Sequence, residues 1–550
     1  VGTLEERVSP VLSVAPRIPK YDSRHLLIYD GTRVLLERTG EVHPAHLFPG
    51  LLLSEDPGIV ICENALQMLA HLNYGVCSRR PGWQFRTSFV KRTKWRQIKG
   101  NRPVTQGHTL VSWFGWRTFW SNGTTAHTHY HYPVDPIVLA NCAIHRLIPH
   151  EVDSDARLAA LLAWGMDMRE WCRENDLKVS TSAGSLAIQL LTDPRFYPES
   201  RRKVPRATND RARQHLFGNH YELHTEPRIF QNGYYLDMKS AHHYCASKVA
   251  LPNANTLNAR GKFREPLGES EDQPFTRSEP IRVASGCAAY RQLTTRAYGL
   301  LQVRIDPLRP HERFTLPYLK KPGIRIAWIY TNELELVREL GGQILGIEAA
   351  WVSFERDDGI RKYAEWAMAE NRAMSSERKK WCKPTLLAAY GMLAHRPTAP
   401  TIGYHQSDKG IRQPVPVPGG GVLEMNIHQA QKETESRICN VIHRGMIEAE
   451  VRVRVIRMAR ELAAQGTEVL ALYADSVIVN SDLPLTFLPE PWDIKTELTQ
   501  LEFFNAVSFH SKEMTKLPGI PDRLDTDRIS HYKMMAALAG SGRTPLRQSL

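Results

Sequence analysis

A chain of 550 residues is too long for a single hydrophobic core, so several domains are expected. Hydrophobic residues make up 42% of it and charged residues 23%, which excludes a disordered tail or a fibrous repeat. The formal charge of +13 fits a generally basic surface or a polyanionic partner, and the clustering of the charge favours the partner.

In chain order, residues 24–53 alternate short apolar runs with turn residues and predict strands of a mixed α/β unit. Segment 79–102 carries nine Lys/Arg and no acid, interleaved with Trp83, Phe85, Phe89 and Trp95. Cations meet phosphates and aromatic faces stack on bases, so the segment suits a single strand. A basic surface hairpin with its aromatics turned inward is the equal alternative. His127, His129 and His131 alternate, so a strand would put all three on one face. The outer two would start roughly 13 Å apart at about 3.3 Å per residue, which favours a polar strand face over a metal site. Residues 154–177 have the apolar spacing of an amphipathic helix. A charged, proline-bearing linker at 194–213 marks a domain boundary.

Beyond the linker, GYYLDMKSAHHYCASKV reads as a strand ending in an acid and then a helix. Strands are expected at 299–305 and 324–330, and a capped helix closed by glycine at 331–342. Helix is expected over 360–396, a loop or hairpin insertion over 397–421, and a long amphipathic helix over 427–465. VLALYADSVIV then reads as strand, tight turn and strand. The eight cysteines include no C-x-x-C pair, so free thiols in a reducing, cytoplasmic compartment are expected. The N-terminus has no signal pattern and no apolar run is long enough to span a membrane.

The chemistry centres on two acids. Asp237 ends the apolar YYL run and Asp475 lies in the turn of LYADSV. A sheet holds a carboxylate rigidly at a strand end, where its tip can reach a cleft. Either acid alone would more commonly form a turn or cap a helix, and Ser240 fits that reading for Asp237. Lys383 adds the third component that phosphoryl transfer needs: carboxylates to hold metal ions, and a cation along the triphosphate. Pro384 either sets Lys383 at a helix start, where the helix dipole would face phosphate, or kinks a longer helix. Arg372 and Lys379, on nearly the same helical face, would extend the cationic track or be solvated.

YLDMKSAHHY resembles the first palm motif of the family B DNA polymerases, D-x-x-S-L-Y-P-S, and the likeness is to their viral and plasmid branch, which often uses protein primers. KPTLLAAYG is similar to the fingers motif K-x-x-x-N-S-x-Y-G, with Lys383, Tyr390 and Gly391 in register, and LYADSV is similar to Y-x-D-T-D-S. The spacing agrees: 146 residues separate Asp237 from Lys383, and 92 more reach Asp475. The resemblance covers roughly 155–520, with FGNHYE, holding Phe217 and Gly218, at the linker that contacts nucleic acid and SKEMTKLPGI, holding Lys512 and Lys516, at the primer-contacting thumb.

The resemblance implies an α/β (α+β) multidomain protein, an exonuclease-like domain followed by a right hand. The implied ranges are 1–190 exonuclease-like, 191–235 linker, 236–355 palm, 356–396 fingers, 397–485 second palm part and 486–550 thumb. It implies a DNA-directed DNA polymerase with two Mg2+ or Mn2+ ions on Asp237, Asp475 and the Met238 backbone carbonyl. Lys383, Arg372, Lys379, His242, Tyr390 and Met238 would meet the nucleotide, and Phe217, Gly218, Gly391, Lys512 and Lys516 the nucleic acid. The implied partners are primer-template DNA and deoxynucleoside triphosphates, for a chain acting as a monomer away from membranes. Starting from a protein hydroxyl or with no primer at all stays open, and segments 255–296 and 397–425 are where a hold for a priming protein would be sought. A polymerase fold that has lost catalysis and only binds nucleic acid or a partner is the other reading.

The departures bear on both. Tyr473 replaces the first acid of the third motif, His242 the tyrosine that screens the 2′-hydroxyl, and Leu387-Ala388 the Asn-Ser pair. In the N-terminal part Asp30 is followed by Gly31-Thr32 instead of x-Glu, and Ala163 stands where a tyrosine would accompany Asp167. An exonuclease fold that no longer cuts is expected.

Overall fold

The computed structural model describes residues 25–48, 51, 59–62, 84–89, 108–113, 116–121, 137–140, 154–180, 183–197, 203–216, 221–225, 229–257, 283–284, 288–308, 313–395, 399–403, 411–417, 421–430, 438–481 and 488–516. The histidine-rich patch and the FGNHYE positions Phe217 and Gly218 lie outside them, as does most of 79–102. The chain forms two compact units, one from residues 1–190 and 374–436, the other from 191–373 and 437–550.

In the first unit a five-stranded sheet runs in the order Val42–Pro44, Arg33–Leu36, Leu26–Tyr29, Ile59–Cys62, Ile137–Ala140. Leu26–Tyr29 is antiparallel to Arg33–Leu36 and parallel to Ile59–Cys62, which is itself parallel to Ile137–Ala140. The runs LLIY and IVIC are apolar throughout because both their faces are buried. Helix Ser154–Glu174 packs on these strands, and Gly165 lets it approach: a Cβ there would stand 1.7 Å from Ile61 Cδ1. The helix expected at 154–177 is therefore present.

Helix Ser376–Ala394 also belongs to this unit, capped by Ser375, whose Oγ accepts from Arg378 N at 3.2 Å. Pro384 lies inside that helix, so Lys383 is mid-helix and not at a helix start. The helical stretch expected over 360–396 is in fact two helices, Gly359–Ala373 and Ser376–Ala394, since the Ser375 cap begins a new one. Arg372 and Lys379 consequently sit on different helices and do not share one face. Residues 421–430 form a strand, between Ala399–Gly403 and Ile411–Val417 in an antiparallel sheet. The long helix thus starts only at Val441, where the Asn440 side chain accepts from His443 N at 3.2 Å.

The second unit is built on a seven-stranded antiparallel sheet, in the order Thr515–Lys516, Ser508–His510, Trp492–Asn505, Ile229–Met238, Ser476–Asn480, Glu468–Tyr473, Tyr221–Leu223. Tyr235, Ile478, Leu498, Leu501 and Phe509 form an apolar cluster on one face. Val477 and Val479 alternate with Ile478 and so lie on the other face, where helix Val441–Ala464 packs. Helix Ala241–Lys248 packs between that long helix and Gly359–Ala373. A second antiparallel sheet runs Val283–Ala284, Gly342–Ser353, Tyr298–Pro307, Arg325–Tyr330. The strands expected at 299–305 and 324–330 are its centre and edge. The expected helix after them is a 3-10 turn, Thr331–Glu333, and a short helix, Leu334–Glu339, followed by Gly341 at φ 75°. Among the described residues no helix is long and apolar enough to cross a membrane.

Candidate active site

Three neighbouring strands of the seven-stranded sheet bring the two acids together. Ile229–Met238 lies between Ser476–Asn480 and Trp492–Asn505, with Asp237 opposite Ser476 on one side and Asp493 on the other. Asp475 occupies the two-residue turn before Ser476, and Ala474 beside it takes φ 57°, a left-handed conformation that favours glycine. The turn is tied to the Asp237 strand by Met238 N donating to Asp475 O at 3.1 Å.

Ser476 links the carboxylates. Its Oγ donates to Asp237 Oδ1 at 2.7 Å and stands 3.5 Å from Asp475 Oδ1, so both acids surround one hydroxyl. Burial and the neighbouring Asp237 push the Asp475 carboxyl above the usual carboxylate range, against the opposing charges of His242 and Lys495. Two carboxylates in that relation favour a cation between them.

Lys495 was not apparent in the sequence, and the sheet explains why. Tyr235 pairs with Thr496 but Leu236 pairs with Ile494, so Lys495 is the extra residue of a bulge. Bulges re-aim a side chain, and this one carries Nζ to 3.1 Å from Asp237 Oδ2 and 5.3 Å above the Tyr235 ring. Nearby, Lys239 Nζ bonds Asp493 Oδ2 at 2.9 Å.

His242 follows on the helix after the strand, and its Nε2 lies 3.4 Å from Glu448 Oε1 on the long helix. Glu448 is buried and also paired with Arg444. Burial works against its charge, but the His242 hydrogen bond and the Arg444, His242 and Arg452 charges hold it below the usual range. Glu448 and Arg444 were likewise missed, since nothing in a long amphipathic helix marks which buried acid meets a distant histidine. Tyr473 is committed to packing. Its ring meets Tyr221 at 5.0 Å and Phe509 at 5.5 Å, and its hydroxyl donates to Val507 O at 3.1 Å.

Asp237, Met238, His242 and Asp475 are thus gathered within one unit. Arg372 is exposed on Gly359–Ala373 in that same unit, and Lys512 and Lys516 lie at the far edge of the sheet. Lys379, Lys383, Tyr390 and Gly391 belong to the other unit, with Lys383 and Gly391 exposed and Tyr390 buried. Among the described residues no group of three or more His, Cys, Asp or Glu side chains could hold a metal ion. Magnesium needs only one or two protein carboxylates when water and phosphate complete its shell, so the pair fits that ion.

Asp30 and Asp167 are both engaged by cations. Asp30 Oδ1 accepts from Thr32 N, Thr32 Oγ1 and Arg33 N at 2.8, 2.8 and 2.7 Å, and its Oδ2 faces the Arg33 guanidinium. Asp167 is held by Arg378 and Trp381.

No protein-family model and no curated protein matches the sequence. Solved structures do match in fold. The phi29 DNA polymerase complexed with single-stranded DNA has a TM-score of 0.54 at 11% identity, covering 92% of this chain and 90% of that one. Its ternary complex with primer-template DNA and incoming nucleotide also gives 0.54 at 11% identity, over 91% and 92%. At that identity the likeness is one of fold, and it runs nearly end to end: the chain is folded like the phi29 DNA polymerase.

Proposed function

We propose that the chain is a family B-type, template-directed DNA polymerase that extends a 3′-hydroxyl with deoxynucleotides and does not proofread. The observation that carries this is the pair of carboxylates around Ser476, one at a strand end and one in the adjoining hairpin turn, in a chain whose fold likeness to a polymerase covers nine-tenths of its length. Asp237, Asp475 and the Met238 carbonyl would hold two Mg2+ or Mn2+ ions. Bound there, the ions would lower the pKa of the primer hydroxyl and balance charge on the triphosphate. Ser476 keeps the carboxylates oriented, and Lys495 balances the charge of Asp237 when no ion is present. Lys383, with Lys379 one turn before it on the same helix, is the proposed cationic contact of the triphosphate. Lys512, Lys516, Gly391 and the 217–218 linker are proposed to follow the primer-template.

Absence of proofreading is supported by what engages the two N-terminal acids. Asp30 closes its own turn and faces Arg33, Thr32 stands where a second acid would be needed, and Asp167 is neutralised by Arg378. His242 and Leu387-Ala388 stand where the resembling family sets sugar choice, so weakened discrimination against ribonucleotides is part of the proposal.

Primer extension on a DNA template, with magnesium or manganese, tests the reading. Extension by the wild-type chain, lost in Asp237→Asn and Asp475→Asn, is the expected result. The alternative, a fold that binds nucleic acid without copying it, is favoured by Tyr473 in place of an acid. It wins if the wild type binds primer-template yet extends nothing with either metal.

A further inference from the structure

Helix Ser376–Ala394 carries Lys379 and Lys383 one turn apart, and Pro384 within it removes one internal hydrogen bond. The helix runs on through Pro384 one hydrogen bond short, so contacts from outside add to what holds its lysine in place. Asp167, on helix Ser154–Glu174, supplies them. Its Oδ1 accepts from Arg378 Nε at 2.8 Å and meets Nη2 at 2.7 Å, while Oδ2 accepts from Trp381 Nε1 at 2.7 Å. Arg378 Nη1 also donates to Glu174 Oε2 at 2.7 Å, and the buried Trp171 and Trp381 rings meet edge to face at 5.4 Å. Among the described residues, the donors to Asp167, Arg378 and Trp381, come from the turn and a half that leads to Lys383.

We infer that Asp167 is a positioning residue for nucleotide binding, fixing the stretch of helix that presents Lys383. The inference rests on the polymerase reading, in which Lys383 meets the triphosphate. Asp167 contacts that stretch of helix, so its effect on the nucleotide passes through that lysine. The same contacts remove it from nuclease chemistry, because a carboxylate paired with an arginine has that cation where a metal ion would sit.

Single-nucleotide incorporation on a primed DNA template, with the full chain, tests this. Asp167→Ala is expected to raise the KM for the deoxynucleotide about tenfold, the scale of one charge-assisted hydrogen bond, with kcat within about twofold. Asp167→Asn, which keeps an acceptor for Trp381 but loses the charge, gives a smaller rise, and Asp167→Glu recovers part of it. Lys383→Ala raises KM alone, and adding Asp167→Ala raises it no further. A merely structural residue would not give that non-additivity. Unchanged KM in Asp167→Ala overturns the inference, as do additive effects with Lys383→Ala. A parallel fall of kcat and melting temperature in both Asp167→Ala and Asp167→Asn overturns it too. So does a wild-type 3′-end degradation that Asp167→Asn abolishes, which would make Asp167 a nuclease ligand. A wild type that extends no primer overturns the polymerase reading together with this one, whereas an active wild type with additive variants overturns this one alone.

Discussion

A carboxylate half-buried beside another carboxylate is held in place against its own charge, and Asp475 is in that position. Its raised pKa means that the ionised form costs folding free energy above the folded value, a cost absent at pH below the ordinary Asp range. Asp475→Asn should therefore melt at a higher temperature than wild type at pH 7 with metal chelated. Extension should fall by about a thousandfold or more, the scale on which one catalytic group acts. A lower melting temperature would refute the like-charge account of the turn. Glu448 behaves in the opposite sense. Its depressed pKa gives stability that is complete above the unfolded value, about 4.3, and is lost as pH falls through the lower folded value. Glu448→Gln should be less stable than wild type at pH 7, with the gap narrowing as pH is lowered through that window in thermal melts. A gap that stays constant into acid would mean that the charge of Glu448 is not what stabilises His242 and Arg444 around it.

At the scale of elements, the long helix Val441–Ala464 is joined to the 3-10 turn Thr331–Glu333 by a fully buried ion pair. Arg452 Nη2 meets Glu333 Oε1 at 2.8 Å, and Glu333 Oε2 also accepts from Tyr330 N at 3.0 Å. Removing one member leaves a buried charge uncompensated, so Arg452→Ala should cost about 3–5 kcal/mol in denaturant unfolding of this unit. Replacing Arg452 by Met and Glu333 by Gln together should recover a substantial part; equal losses in the single and double variants would argue against the pair. Elements differ in how far the sequence discloses them. Period-two runs such as GLLQVRI and the LYADSV hairpin were legible because strands bury alternate or whole runs. Residues 427–430 were misread as the start of the long helix because an apolar pattern beside a strong helix blends into it, and the break at Ser375 because a serine inside a helical pattern is an ordinary residue until it caps.

For the whole molecule, the net charge of +13 bears on association more than on folding. Binding of primer-template DNA should weaken by about a thousandfold between about 50 and 200 mM salt if roughly six phosphates are engaged, as counterions are released. A filter-binding titration giving no salt dependence would exclude a phosphate-tracking interface. From the sequence alone came the order Asp237, Lys383 and Asp475, Tyr473 where the resembling motif has an acid, and the likeness to a DNA polymerase fold that the solved structures bear out. These are local facts, because short motifs carry their own strand-turn and helix signals. Tertiary structure alone decided what meets what. A one-residue bulge turned Lys495 onto Asp237, strand pairing put Ser476 between the acids, and packing brought Glu448 to His242 across more than 200 residues of chain. It also gave Asp167 to Arg378 and Trp381. Register and long-range packing depend on every element at once, so no window of sequence contains them.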